Sequence, residues 1–256
     1  MIPVQDDISS MFERLKNYIL LKDKEWPNKI IPAKQSDIDI LKRLVLKSRN
    51  LNDLPLAYKI FLENMGGYDN QFFYSKSDGT SSIQELIDYH NNANYYNFEF
   101  RDPNCLEFFI IYISGNISIN ISNQNICYSE EGEIFKDNCY SESFEKYLFQ
   151  TAFTMYEHYN NLVYFNSDYE TIEKQKKIHK SESIMDLVIN SAHSNGINKT
   201  WFSDRYNYFG TKNGLILNIN NRNGIYSGVI MGNNNTEINE LSKIIASDIG
   251  LNIYKP

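Results

Sequence analysis

The sequence predicts an α+β fold, with helices packed on an antiparallel-rich sheet and a smaller α+β unit after it, on three observations. Up to His90, apolar residues recur at three- and four-residue spacing behind capping residues, the mark of helices with one buried face. From Leu106 to Ser129 they alternate with polar residues between tight turns, as in an antiparallel sheet with one solvated face. Beyond a charged stretch the order of helix, strands and helix returns on a smaller scale. The expected organisation is a domain over residues 1–160, a charged connector over 161–180, and a smaller α+β unit over 181–256 that echoes the first.

Ser10-Met11-Phe12-Glu13 has the form of a capping box, and Phe12, Leu15 and Ile19 behind it share one helical face. Trp26-Pro27 is expected to end that helix, because the residue before proline avoids helical geometry. Ser36-Asp37-Ile38-Asp39 opens a second helix, with Ile38, Leu41 and Val45 inward and Lys42, Arg43, Lys47 and Arg49 on a solvated face. The run from Asn52 to Gly67 is a short helix with both ends marked. Pro55 suits a first helical position, Gly66-Gly67 supply a left-handed cap, and Tyr58, Phe61, Leu62 and Met65 fall on one buried face.

An extended piece at Phe72-Phe73-Tyr74 and a turn at Ser77-Asp78-Gly79 follow. A helix then runs from Ser82-Ile83-Gln84-Glu85 to His90, before a polar loop over 91–97. Strands are expected at 106–113, 117–122 and 126–129, separated by turns at Ser114-Gly115-Asn116 and Asn123-Gln124-Asn125. Ser141 opens a closing helix that places Phe144, Tyr147, Leu148 and Phe153 in the core.

Leu54-Pro55, Tyr58 and Phe61-Leu62, followed by Gly66-Gly67, resemble the hallmark of the SUKH superfamily, which includes bacterial immunity proteins and a yeast cell-wall-synthesis regulator. The stretch from Phe108 to Ile117 is similar to that family's central strand and turn, and Ser143 to Leu148 to its terminal helix; the resemblance runs from Ile8 to His158. The hallmark is a packing motif, so the function it implies rests on the resemblance alone. That function is immunity: neutralising a cognate toxin by stoichiometric binding and active-site occlusion, without turnover and without a cofactor. A regulatory interaction scaffold with several partners is the alternative, and an enzyme with a site assembled between the two halves is the third.

The echo is specific. Residues 117–129 align without gaps on 215–227, with identity at six of thirteen positions, among them Asn120/Asn218, Ile121/Ile219 and Tyr128/Tyr226. Ile83-Gln84-Glu85-Leu86-Ile87 meets Ile184-Met185-Asp186-Leu187-Val188 upstream, and Phe144 to Leu148 has a counterpart in 238–245. The hallmark helix itself does not recur.

Residues 1–160 carry 15 basic and 23 acidic side chains, a balance of −8, against 10 and 9, or +1, over 161–256. An acidic first half disfavours nucleic acid or an anionic membrane and favours a basic protein, expected here to be a toxin domain. The N-terminus lacks a basic start and an apolar core, so a cytoplasmic chain without a secretory signal is expected. Cys105, Cys127 and Cys139 are odd in number with no C-x-x-C pair, and free thiols are expected.

Catalytic motifs are not found. His90, His158, His179 and His193 lack metal-ligand spacing, Gly210 to Gly214 lacks the ending of a phosphate loop, and no G-x-S-x-G occurs. Ser191 and His193, a close Ser/His pair, diverge on one helix. No catalytic, cofactor-binding or metal residue is therefore assigned. The candidate partner-binding residues are Tyr128, Glu130, Glu131, Glu133, Asp137 and Tyr140, an acidic, tyrosine-flanked cluster expected in a loop and helix start, with Glu142 and Glu145 beside it.

Overall fold

The computed structural model describes residues 5–47, 52–73, 79–95, 102–111, 115–130, 133–167, 170, 173, 183–222 and 224–254. The chain is α+β and divides into two compact units, Met1–Tyr156 and Glu157–Pro256. Glu131, Tyr74, Ser77, Asp78, Arg49 and the basic run of the connector lie outside the described residues.

In the first unit the chain enters through a single 3-10 turn, Ile8–Ser10, capped by Asp7 rather than Ser10. Asp7 Oδ1 accepts from the Ser9 N–H at 2.8 Å, while Ser10 is already helical and its hydroxyl donates to the Asp7 carbonyl. The extra turn moves the cap three residues upstream. Helix α1 (Met11–Leu20) buries Phe12, Leu15 and Ile19 as its spacing predicts, and it ends well before Trp26. Trp26-Pro27 instead opens the short α2 (Trp26–Lys29), because proline in a first turn gives up an N–H that has no helical partner anyway. Helix α3 (Gln35–Lys47) turns Ile38, Leu41 and Val45 inward.

The hallmark helix is α4 (Leu56–Met65), and Tyr58, Phe61, Leu62 and Met65 are all fully buried. Its ends differ from expectation. Pro55 is the extended residue before the helix (φ −52°, ψ 132°), and Gly66 is right-handed at φ −74°. The glycines are needed for room. A Cβ on Gly67 would sit 2.6 Å from the Pro32 carbonyl oxygen, because residues 31–33 cross directly over the helix end. The crossing is tied by Gly67 N–H to Ile31 O and Ile31 N–H to Tyr68 O, both 2.8 Å.

Residues 70–73 form a turn rather than an extended piece, with Asn70 and Gln71 left-handed (φ 53° and 58°). Phe72 N–H closes the turn on the Asp69 main-chain carbonyl at 3.2 Å, and the N–H groups of Gln71, Phe72 and Phe73 face the Asp69 carboxylate. Strand β1 (Gly79–Thr80) leads into α5 (Ile83–Tyr95), which continues through the start of the expected polar loop. Leu86, Ile87 and His90 bury one face of it while Asn91 and Asn92 extend it on the solvent side.

Four strands follow, β2 (Cys105–Ile111), β3 (Asn116–Asn120), β4 (Ile126–Glu130) and β5 (Glu133–Ser141), then α6 (Phe144–Tyr156). The sheet is antiparallel in the order β1-β2-β3-β4-β5. Contrary to the expected solvated face, every residue of β3 is buried. Its polar positions find partners: Asn116 Nδ2 donates to the Tyr89 hydroxyl at 2.8 Å, and the Ser118 and Ser129 hydroxyls share a hydrogen bond. The core joins α4, β2 and α6 through aromatic rings. Phe108 and Phe144 meet edge-on at 4.9 Å, and Tyr58 meets Phe144 at 5.4 Å. Arg14 and Glu145 tie α1 to α6 at 2.6 Å.

The second unit begins earlier than the expected connector allowed. Residues 161–166 form strand β6 (Asn161–Asn166). After it come α7 (Ile184–Ser194), β7 (Asn198–Lys199), β8 (Asn207–Lys212), β9 (Leu215–Arg222), β10 (Ile225–Gly232), α8 (Asn235–Ile249) and β11 (Asn252–Tyr254). The sheet order is β11-β6-β10-β9-β8-β7, all antiparallel. A reciprocal capping box between Ser183 and Asp186 starts α7, and left-handed Gly250 closes α8. Both helices pack on one core with Phe165, Leu217, Ile219 and Ile230. Like α5 to α6 in the first unit, α7 to α8 encloses a four-stranded antiparallel meander.

Candidate protein-binding site

The acidic cluster lies on the β4–β5 hairpin, a different setting from the loop and helix start expected for it. Tyr128 is on β4, Glu130 ends that strand, Glu133 begins β5, and Asp137 and Tyr140 follow along β5. Long runs of polar residues carry no strand signal of their own; here pairing with β4 supplies the order. Glu130 and Glu133 are direct cross-strand neighbours, and both are exposed, as is Asp137. β5 is the last strand of its sheet.

The hairpin is irregular in a definite way. Ser129 pairs with Ile134 and Cys127 with Cys139, so Phe135, Lys136, Asp137 and Asn138 oppose the single residue Tyr128. Such an expansion of one strand bends it and re-aims its side chains. Phe135, Lys136 and Asp137 are consecutively exposed, which an ordinary strand covered on one face would not allow. The Phe135 ring is 45% exposed and lies 5.5 Å from the Tyr128 ring. Beneath the bulge Cys127 and Cys139 form a disulfide, which corrects the expectation of free thiols for that pair; Cys105 is buried and takes no part in the bridge. An odd count does not forbid one bridge, and antiparallel register brings these two together.

The acids separate into two groups. Glu142 pairs with Lys146 at 2.9 Å and Glu145 with Arg14, so the acids around the start of α6 are already neutralised. Among the described residues no cation pairs with Glu130, Glu133 or Asp137. Tyr140 is half-buried, its ring 6.4 Å from Tyr147 of α6, and it supports the hairpin rather than extending its surface. The Tyr128 hydroxyl is pushed up from its ordinary pKa by burial and then by the charge of Glu130. Phe135 was not singled out from the sequence; the available signal was a large apolar residue in Glu133-Ile134-Phe135-Lys136-Asp137 that fits neither period.

Two other settings hold titratable groups. A pocket of about 240 Å³ is lined by Asp69, Thr80, Ser81, Ser82, Glu85 and Gln71. Burial raises the Asp69 carboxyl above the usual range, partly offset by Ser81 Oγ donating at 2.7 Å and by the three backbone N–H groups. Those bonds make it a clamp on residues 70–73. In the second unit Ser191 is buried and donates to Asp248 Oδ2 at 2.6 Å while His193 is exposed, so the Ser/His pair is not brought together. Among the described residues no three His, Cys, Asp or Glu side chains converge in a metal-binding group, and no helix is long and apolar enough to cross a membrane.

Comparison with family models, curated proteins and solved structures finds no match for this chain.

Proposed function

We propose that this chain is a non-enzymatic protein-binding protein whose β4–β5 hairpin docks a basic partner. One observation carries the reading: Glu130 and Glu133 stand opposite each other at the tip of an edge hairpin, with Asp137 further along the same strand, and among the described residues none of the three forms an ion pair. Like charges directly across a ladder are destabilising. A Lys or Arg set between them by a partner relieves that repulsion, while the negative field speeds encounter.

The SUKH-like residues around Tyr58 support the finer reading that the partner is a cognate bacterial toxin, neutralised one-to-one by occlusion of its active site. The test is binding to any toxin domain found encoded beside this gene, measured at low and high salt. Affinity is expected to fall as salt rises and to fall at least about tenfold in the combined Glu130→Lys, Glu131→Lys, Glu133→Lys variant. Salt-insensitive binding, or full protection by the variant, removes the hairpin from the interaction.

A further inference from the structure

Resting on the reading of the acidic hairpin as the docking surface, we infer that Phe135 is its anchor and that the occupant is a partner segment carrying a large apolar residue between Lys or Arg side chains. The bulge is the reason. In a regular hairpin β5 would turn successive side chains alternately in and out; four residues opposite one instead present Phe135, Lys136 and Asp137 together to solvent. A half-exposed phenyl ring is ordinary when isolated. This one rests on the Tyr128 ring and is bordered in sequence and register by Glu130, Glu133 and Asp137 against the single cation Lys136, a net negative rim.

An apolar centre with a charged rim is the anatomy of an interface hot spot, where the centre supplies affinity and the rim supplies selection. The sign of this rim selects a basic complement. A second copy of the chain fits poorly, because a two-fold contact at β5 would set the carboxylates of one hairpin against those of the other. The bulge is also held in place before any partner arrives. The Cys127–Cys139 bridge closes one side and the Ser129–Ile134 pairing the other, so little order remains to be imposed on binding.

The experiment uses the full chain as bait for a phage-displayed library of random peptides, followed by titration of the enriched peptides, made synthetically, against wild type, Phe135→Ala and the pair Glu130→Lys/Glu133→Lys. Enriched sequences are expected to place a large apolar residue between basic ones, and to lose at least about tenfold in affinity on Phe135→Ala, with Phe135→Trp restoring it. Phe135 is on the surface, and an unchanged melting temperature establishes that Phe135→Ala is folded. Basic peptides that depend on Glu130 and Glu133 but bind Phe135→Ala as tightly as wild type overturn the anchor and leave the acidic surface standing. Enrichment without basic residues, indifferent to the charge reversal, overturns the docking surface itself. A concentration-dependent dimer that Phe135→Ala dissolves makes the occupant a second copy and overturns the basic segment.

Discussion

At the scale of single residues the informative groups are buried polar ones. Tyr58, the tyrosine of α4, makes no hydrogen bond with its hydroxyl among the described residues, and burial followed by the charge of Glu107 raises its pKa. It serves as a ring, packed against Phe61, Phe108 and Phe144. Asp69 is the opposite case, a group held for its oxygens. Its folded carboxyl binds a proton more tightly than the ordinary value of 3.8, so between 3.8 and the raised folded value the native state holds more protons than the unfolded one. The stability linked to that proton is complete below 3.8 and is lost as pH rises through the folded value. Asp69→Asn keeps an acceptor for Ser81 and has no charge to bury; its stability relative to wild type is expected to improve between about pH 3 and about pH 7, as followed by urea unfolding. A relative stability that falls with pH would contradict the sign. None of this was visible in the sequence, because the burial of Asp69 depends on β1, the start of α5 and the crossing at Ile31 meeting around it.

Among the elements, helices were more legible than their ends, and strands more legible than their register. Apolar spacing identified the buried faces of α1, α3, α4 and α6, since a period of about 3.6 residues is a local property. Caps and stops depended on neighbours: Asp7 took the cap from Ser10, Pro27 began a helix, and Gly67 answered to Pro32 rather than to its own φ. For β5 the difference was complete, because an edge strand of mostly polar residues that buries only Cys139 and Ser141 has little of a face to advertise. The acids of the candidate site were legible as a cluster; Phe135 became notable only once four residues were seen opposite Tyr128. The hairpin also carries an expectation of its own. Cys127 and Cys139 are separated by 12 positions, a spacing at which a bridge contributes on the order of 3 kcal/mol, mainly by restricting the unfolded chain. Cys127→Ser/Cys139→Ser is expected to lose about that much in denaturant unfolding, and excess dithiol to bring the wild type to the same midpoint. Equal midpoints without reductant would show that the bridge does not form.

For the molecule as a whole, each unit closes its own core. The first is organised by aromatic rings from α4, β2 and α6, the second by aliphatic residues between one sheet and two helices. Each also holds one tryptophan, Trp26 and Trp201. Leu217 is fully buried in β9, and Leu217→Ala is expected to cost about 3 kcal/mol. Measured in single-tryptophan variants, that loss should lower the transition reported by Trp201 and leave the one reported by Trp26; a common shift in both would mean the units unfold together. A recurring order of helix, strands and helix was legible from residues 117–129 and 215–227, while the fourth strand of the first meander, β5, and the place of β6 between β10 and β11, in a stretch that looked like linker, were not. The bridge at Cys127 has a consequence for how the candidate surface can be handled. It closes a covalent ring that contains Tyr128, Glu130, Glu131, Glu133, Phe135 and Asp137, so the candidate surface is already a macrocycle that the larger protein carries. Copied as a cyclic peptide, that ring is expected to compete with the native chain for any partner that docks on the proposed surface.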